Sequence, residues 1–223
     1  DRSVGAGDGN ARAGRRIGPT HLPYGIIDAH APRPLHDGLA QHVGAALLAK
    51  KEGYAVVLMD EGSLKEGYRN ELKSAGIAFR EGNIDKTELL QADEVVKSPG
   101  IPEKNSWVQM LRQNGTPVIS EIELAYRHKG DSRIIAITGS NGKSTTTALT
   151  YHICKTAGLD CALVGNIGYS FAKQVAEDPR PLYVAEISSF QLDDIVTFRP
   201  DVAVLPNITE DHLDRYDYRF ENY

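Results

Sequence analysis

The sequence lacks most of the features that mark specialised protein classes. It holds only two cysteines, Cys154 and Cys161, whose spacing fits neither a zinc site nor a C-x-x-C redox pair. It has no run of roughly 18 apolar residues and no secretory signal pattern, which argues against a membrane span or export. It has no excess of basic residues either, because the net charge is −5, and this argues against nucleic acid as a partner. We therefore expect a cytoplasmic, monomeric protein with two reduced interior thiols.

The first 42 residues contain neither lysine nor glutamate, although both are frequent from Val43 onward. This segment is rich in arginine, histidine, proline and glycine, and it shows no useful helical or strand periodicity. We predict that residues 1–42 are an unmatched leader, which is either disordered, foreign to the protein or translated in a shifted reading frame.

From Val43 onward, strands alternate with helices of about ten residues, a pattern typical of βαβ units and parallel sheets. We predict an α/β protein with a Rossmann-like N-terminal domain over residues 43–130 and a truncated P-loop ATPase-type central domain over residues 131–223. The polar stretch 128–132 gives the boundary, because a new phosphate-loop unit begins after it. In the first domain we predict helices at 43–51, 64–75, 107–113 and 121–127, and strands at 54–59, 77–80, 94–97 and 117–119. In the second domain we predict strands at 133–137, 161–164, 182–186 and 202–205. We predict helices at 143–157 and near 190–195, and one more helix that follows the segment 165–168 and ends at residue 175.

The strongest motif is a strand that runs through a glycine turn into a helix whose first turn carries a lysine and hydroxyl groups. Backbone N–H groups and the helix N-terminus would bind the phosphates of a nucleotide triphosphate, Lys143 would reach the terminal phosphates, and Ser144 could ligate magnesium. The loop is shorter than the usual G-x-x-x-x-G-K-[ST], since Ile137 stands where the first glycine would be. The alternative is an ordinary glycine-rich turn with a solvated lysine. The predicted nucleotide-binding residues are Gly139, Ser140, Asn141, Gly142, Lys143, Ser144 and Thr145.

Polar residues follow three further predicted strands, and the carboxyl ends of parallel strands meet at one edge of a sheet. Glu186 could ligate a nucleotide-bound magnesium ion, although a surface glutamate before a serine N-cap would explain the same sequence. Asn166 could bind a phosphate or a substrate carbonyl, or it could belong to a plain turn. His212 lies among carboxylates and could equally belong to a salt-bridged turn. The convergence of these positions at one edge favours a functional site.

Together these segments resemble the ATP-dependent Mur ligases of peptidoglycan synthesis. That family has the shortened glycine loop, and Ser188-Ser189-Phe190-Gln191 after Glu186 resembles the members that add D-glutamate. The resemblance is continuous from Val43 to Tyr223, and it includes the segments 98–101, 120–123, 165–168 and 207–216.

The resemblance implies an amide-forming reaction that needs ATP and Mg²⁺. ATP would phosphorylate the L-alanyl carboxylate of UDP-N-acetylmuramoyl-L-alanine, and the amine of D-glutamate would then displace the phosphate. Lys143 would steady the β- and γ-phosphates, and Asn166 would contact the substrate. One Mg²⁺ would be held by Ser144 and Glu186, and a second by His212. The uridine nucleotide would lie on the first domain, near Asp60, Ser98, Pro99 and Gly100.

The resemblance also implies a role in cytoplasmic cell-wall biogenesis, on which cell shape and cell division depend. The family's carbamylated lysine and its C-terminal domain would follow Tyr223, so we expect the 223 residues alone not to turn over. Two alternatives stay open. The chain could be a non-catalytic ATP-binding module, or it could come from a sister Mur ligase or an enzyme like folylpolyglutamate synthase.

Overall fold

A computed structural model of the protein describes residues 23–28, 38–82, 84–211 and 213–223. These residues form two parallel β-sheets with helices packed against them. The predicted α/β class with parallel sheets is thereby confirmed. No helix within the described ranges is long and apolar enough to cross a lipid bilayer.

The first sheet contains five parallel strands. Its elements are β1 (Pro23–Asp28), α1 (Gly38–Lys51), β2 (Ala55–Asp60), α2 (Glu66–Ser74), β3 (Ala78–Glu81), α3 (Lys86–Leu90), β4 (Val95–Lys97), α4 (Ser106–Asn114) and β5 (Val118–Ile119). The strand order is β3-β2-β1-β4-β5, which matches the first five strands of the classic Rossmann order 3-2-1-4-5-6. The carboxyl ends of all five strands therefore lie at the same edge of the sheet.

Two elements of this sheet correct the prediction for residues 1–42. Strand β1 is central, because Ile26 is paired with both Leu58 of β2 and Val96 of β4, and α1 already begins at Gly38. The prediction of a leader without regular structure is thus wrong for residues 23–28 and 38–42. The reason is physical: pairing on both sides fixes this strand, whereas composition and periodicity report only local preference. The remainder of the predicted leader lies outside the described residues.

The second sheet follows helix α5 (Glu121–His128) and contains four parallel strands. Its elements are β6 (Arg133–Ile137), α6 (Lys143–Thr156), β7 (Cys161–Gly165), α7 (Phe171–Glu177), β8 (Leu182–Glu186), α8 (Ser189–Leu192), β9 (Val202–Val204) and two short 3₁₀ helices, Leu213–Arg215 and Phe220–Asn222. The strand order is β7-β8-β6-β9. Both cysteines are free and buried, in agreement with the prediction of reduced interior thiols.

Five of the helices follow a residue whose side chain caps the first turn. Each capping side chain accepts a hydrogen bond from a backbone N–H group in the first turn, which satisfies a donor that the helix itself leaves unpaired. The capping residues are Asp85, Asn105, Ser120, Ser170 and Ser188. Each of these five helices therefore begins directly after a short polar residue, whereas α2 and α6 begin after Lys65 and Gly142 without a side-chain cap.

The largest of the three hydrophobic clusters among the described residues contains residues of both sheets and of α1, α5 and α7. It includes Val43 of α1, Ile122 of α5 and Phe171 of α7, all at most 1% exposed. Helices α1 and α7 approach closely because position 44 is glycine, and a β-carbon there would collide with Oγ of Ser170. The division of the chain into domains at residue 130 stays a prediction.

Candidate functional site

The glycine loop between β6 and α6 has the form of an anion-binding site. Gly142 has a φ of +80° and directs the chain into α6, whose first backbone N–H groups lack partners within the helix. Lys143 Nζ donates to the carbonyl oxygens of Gly139, at 2.6 Å, and Ser140, at 3.0 Å. A helix N-terminus, a turn of N–H groups and an ammonium group thus lie together, which is the chemistry that binds phosphates.

The loop that follows β9 holds the glycine loop in place. Asn207 Oδ1 accepts from the backbone N–H of Asn141, and Asn207 Nδ2 donates to the Asn141 carbonyl, both at 2.9 Å. Ser140 Oγ donates to the Thr209 carbonyl at 2.7 Å and accepts from the Thr209 N–H at 2.9 Å. Asn207 and Thr209 were missing from the predicted site, because nothing local in the sequence shows that two distant loops exchange reciprocal hydrogen bonds.

Glu186 lies at the end of β8, level with the ends of the neighbouring strands. It is paired with Gly165 of β7 and Ile137 of β6, so three of the predicted strand ends do meet at one edge. The Asn166 amide donates to Glu186 Oε1 at 2.7 Å. Position 165 must be glycine at this approach, because its φ is +99° and a β-carbon would collide with the carbonyl oxygen of Glu186.

The second carboxylate oxygen of Glu186 is a candidate cation ligand. The side chain is 1% exposed, and Oε2 finds no hydrogen-bond partner among the described residues. A buried carboxylate oxygen without a donor is costly, and a hard cation such as Mg²⁺ is the partner that carboxylate oxygens favour. The described residues contain no group of three or more His, Cys, Asp or Glu that could hold a metal by themselves. A cation there would therefore need ligands from other groups as well.

A cleft of about 290 Å³ lies beside these groups, and residues from both sheets line it. Lys143 and Asn166 line it from the second sheet, and Pro99 and Gly100 line it from the loop after β4. Ser188, Ser189, Phe190 and Tyr223 complete the lining. Ser188, Ser189 and Phe190 were not among the predicted site residues, although they directly follow the strand that ends at Glu186.

The other predicted site residues have different positions. Ser144 and Thr145 are exposed in the first turn of α6. Ser98 is buried and Asp60 is fully buried at the end of β2, and neither lines the cleft. Asp60 Oδ1 accepts from the N–H of Gly62 at 2.7 Å. His212 lies outside the described residues, so its predicted role stays a prediction.

Comparison with known proteins identifies the family. The Mur ligase MurD-like N-terminal domain matches residues 26–120, and the Mur ligase middle domain matches residues 137–223. The chain belongs to the Mur ligase family. The match from residue 26 includes part of the predicted leader, in agreement with strand β1. This Mur ligase chain is also similar to curated enzymes over most of its length.

Two of these relatives show the extent of the similarity. The UDP-N-acetylmuramoylalanine–D-glutamate ligase of Bacteroides fragilis is 54% identical over 180 residues, and that of Cytophaga hutchinsonii is 53% identical over 182 residues. Each match covers 81% of this chain but 40% of the relative. The chain thus spans about 40% of the length of the curated relatives it matches.

Solved structures agree on the fold. The UDP-N-acetylmuramate:L-alanyl-γ-D-glutamyl-meso-diaminopimelate ligase from Neisseria meningitides has a TM-score of 0.54 at 24% identity, covering 88% of this chain and 64% of that one. The UDP-N-acetylmuramate–alanine ligase from Thermotoga maritima has a TM-score of 0.52 at 19% identity, covering 91% and 45%. At these identities the comparison supports the fold alone.

Proposed function

We propose that the protein is part of an ATP-dependent ligase that joins D-glutamate to UDP-N-acetylmuramoyl-L-alanine in peptidoglycan precursor synthesis. One observation carries the proposal: Pro99 and Gly100 of the first sheet share a cleft with Lys143 and Asn166 of the second. The similarity to D-glutamate ligases supports the choice of substrates. The proposed setting is the cytoplasm, with the protein as a monomer.

In the proposed reaction, the γ-phosphoryl group of ATP passes to the L-alanyl carboxylate, and the amine of D-glutamate then displaces phosphate to form the amide. The chain's contribution is positioning and charge stabilisation. The Lys143 ammonium would bind the terminal phosphate oxygens in place of the Gly139 and Ser140 carbonyls. Asn166, fixed by its bond to Glu186, would present its amide to the substrate side of the cleft.

The residues present fit a magnesium ion bound together with ATP. Glu186 supplies a buried carboxylate oxygen without a donor among the described residues, and Ser144 supplies a hydroxyl in the first turn of α6. When bound, Mg²⁺ would neutralise charge on the phosphates. His212 is proposed to hold a second Mg²⁺, and the uridine nucleotide is proposed to lie near Asp60 and the loop 98–100.

Turnover tests this proposal when the chain is joined to the remaining part of the B. fragilis ligase. We expect phosphate release that depends on UDP-N-acetylmuramoyl-L-alanine. We expect Lys143→Met to lower the rate of this release by roughly 100-fold, because charged hydrogen bonds to phosphate are lost. Lys155→Met, on the last turn of the same helix, is the matched control. Turnover with UDP-N-acetylmuramate instead would indicate a sister ligase.

The proposal of a non-catalytic ATP-binding module makes a different prediction. In that case the 223-residue chain binds Mg-ATP with Lys143-dependent affinity, yet the joined protein forms no amide. The same pair of variants separates the two proposals, since only the ligase links Lys143 to product formation.

A further inference from the structure

The loop after β4 is bound through three successive backbone carbonyl groups by two cationic side chains. The Arg215 guanidinium donates from Nη2 to the Pro99 carbonyl at 2.9 Å and from Nη1 to the Gly100 carbonyl at 3.1 Å. Lys97 Nζ donates to the Ile101 carbonyl at 2.9 Å. The cations therefore fix the backbone of the very loop that faces the cleft.

Both cations are in turn fixed by one segment of the second sheet. The Arg215 guanidinium carbon lies 4.4 Å from the centre of the Phe190 ring, a cation–π contact. Lys97 Nζ lies 2.8 Å from Asp194 Oδ2, and both side chains are 2% exposed. Phe190 and Asp194 belong to the stretch that follows Glu186, so the loop after β4 is bound to the segment that follows β8.

An arginine is better suited to this contact than a lysine. Its planar guanidinium presents two N–H groups in a fixed fork, which can bind the adjacent carbonyls of Pro99 and Gly100 while its face lies on the Phe190 ring. A lysine ammonium is a single point charge and could replace only part of this arrangement. The geometry thus depends on the side-chain type as well as on its charge.

We propose that Arg215 is a positioning residue for the uridine-nucleotide substrate. By holding Pro99 and Gly100 against Phe190, it sets the loop at the cleft, and it thereby makes substrate affinity on the first sheet depend on the second sheet. This inference rests on the proposed function, because it takes the UDP-linked substrate as the ligand of that loop. None of the contacts that hold this loop includes a residue of the glycine loop, so we expect nucleotide binding there to be affected less.

Calorimetric titration of the 223-residue chain tests the inference, with UDP-N-acetylmuramoyl-L-alanine and Mg-ATP titrated separately. We expect Arg215→Gln to weaken binding of the UDP ligand by about tenfold or more, since two charge-assisted hydrogen bonds are lost. We expect Arg215→Lys to be intermediate and the Mg-ATP affinity of both variants to stay within about twofold of wild type. Arg219→Gln, an exposed arginine on the same segment, is the control.

Two results would overturn the inference. One is wild-type affinity for the UDP ligand in Arg215→Gln, and the other is an equal loss for both ligands, which would indicate general unfolding or direct contact with ATP. If the wild-type chain itself binds no UDP ligand, the proposed function fails instead. Hydrogen exchange tests the positioning step separately: Arg215→Gln must speed exchange of the Gly100 and Ile101 amides, and unchanged exchange shows that Arg215 does not hold the loop.

Discussion

The Asn166 amide donates a hydrogen bond to Glu186 Oε1 over 2.7 Å and so connects the ends of β7 and β8. This bond satisfies one carboxylate oxygen and orients the other, Oε2, which has no hydrogen-bond partner within the described part of the chain. The pair thus combines a rigid amide with a buried negative charge beside the cleft. In a site of this kind, the unpaired carboxylate lowers the stability of the fold and is available to bind a cation.

Replacing Glu186 by glutamine should therefore move stability and binding in opposite directions. We expect Glu186→Gln to raise the free energy of unfolding by about 1 kcal/mol, because the carboxylate charge is removed while the new amide group is itself left without an acceptor. The same change should weaken ATP binding in the presence of Mg²⁺ more than in its absence. Denaturant unfolding and calorimetry measure the two effects, with the exposed Glu66→Gln as control. Weaker folding together with unchanged Mg²⁺ dependence would contradict this account.

Gly165 should be far less tolerant of substitution than another glycine with positive φ. We expect Gly165→Ala to cost about 3 kcal/mol or more, because the new β-carbon meets the Glu186 carbonyl and the backbone is strained. Gly158 has a φ of +78° but nothing within 4 Å of its β-carbon position, so Gly158→Ala should cost only about 1–2 kcal/mol. Equal losses in denaturant unfolding would show that the close approach is unimportant.

The edge at which these residues meet could be predicted from the sequence, whereas the contacts across it could not. Glu186 and Asn166 follow apolar strands of clear length, and parallel strands bring such ends together. Strand β1 was missed because its place depends on pairing with β2 and β4, and α3 was missed because five residues give too little periodicity. The bonds of Arg215 to residues 99 and 100 join positions more than 100 residues apart, and no local pattern records them.

Glu121 should make the protein less stable as the pH rises through neutrality. Burial raises the pKa of its carboxyl group from 4.5 to about 7, although the Ala172 N–H and Ser170 hydroxyl bind it. The folded protein then holds a proton that the unfolded chain has lost, so the free energy of unfolding should fall by up to about 3 kcal/mol between pH 4.5 and pH 7.

The variant Glu121→Gln isolates this effect. Its amide has no charge to lose, so its stability should change less between pH 5 and pH 8, and it should exceed the wild type most at pH 8. Thermal unfolding at several pH values measures this. A wild type and variant with parallel pH profiles would be inconsistent with the burial of a titrating group at this position.

Glu123, two residues further along α5, should have the opposite pH dependence. Burial acts to raise its pKa, but hydrogen bonds from Thr197 and Val196 and the contact with Arg127 outweigh it and hold the pKa at about 2. Its stabilisation is therefore complete above pH 4.5 and is lost as the pH falls toward 2. We expect Glu123→Gln to cost about 2 kcal/mol or more at pH 7 and less at pH 3. A constant difference at both pH values would contradict this.

The most direct test of the central claim is calorimetric titration of UDP-N-acetylmuramoyl-L-alanine into the 223-residue chain, with and without saturating Mg-ATP. Because the loop after β4 and the glycine loop share one cleft, we predict 1:1 binding of the UDP ligand in both conditions, and weaker binding of UDP-N-acetylmuramate, which lacks the L-alanyl group. A chain that binds Mg-ATP but neither UDP ligand would contradict the account and leave a nucleotide-binding module in its place.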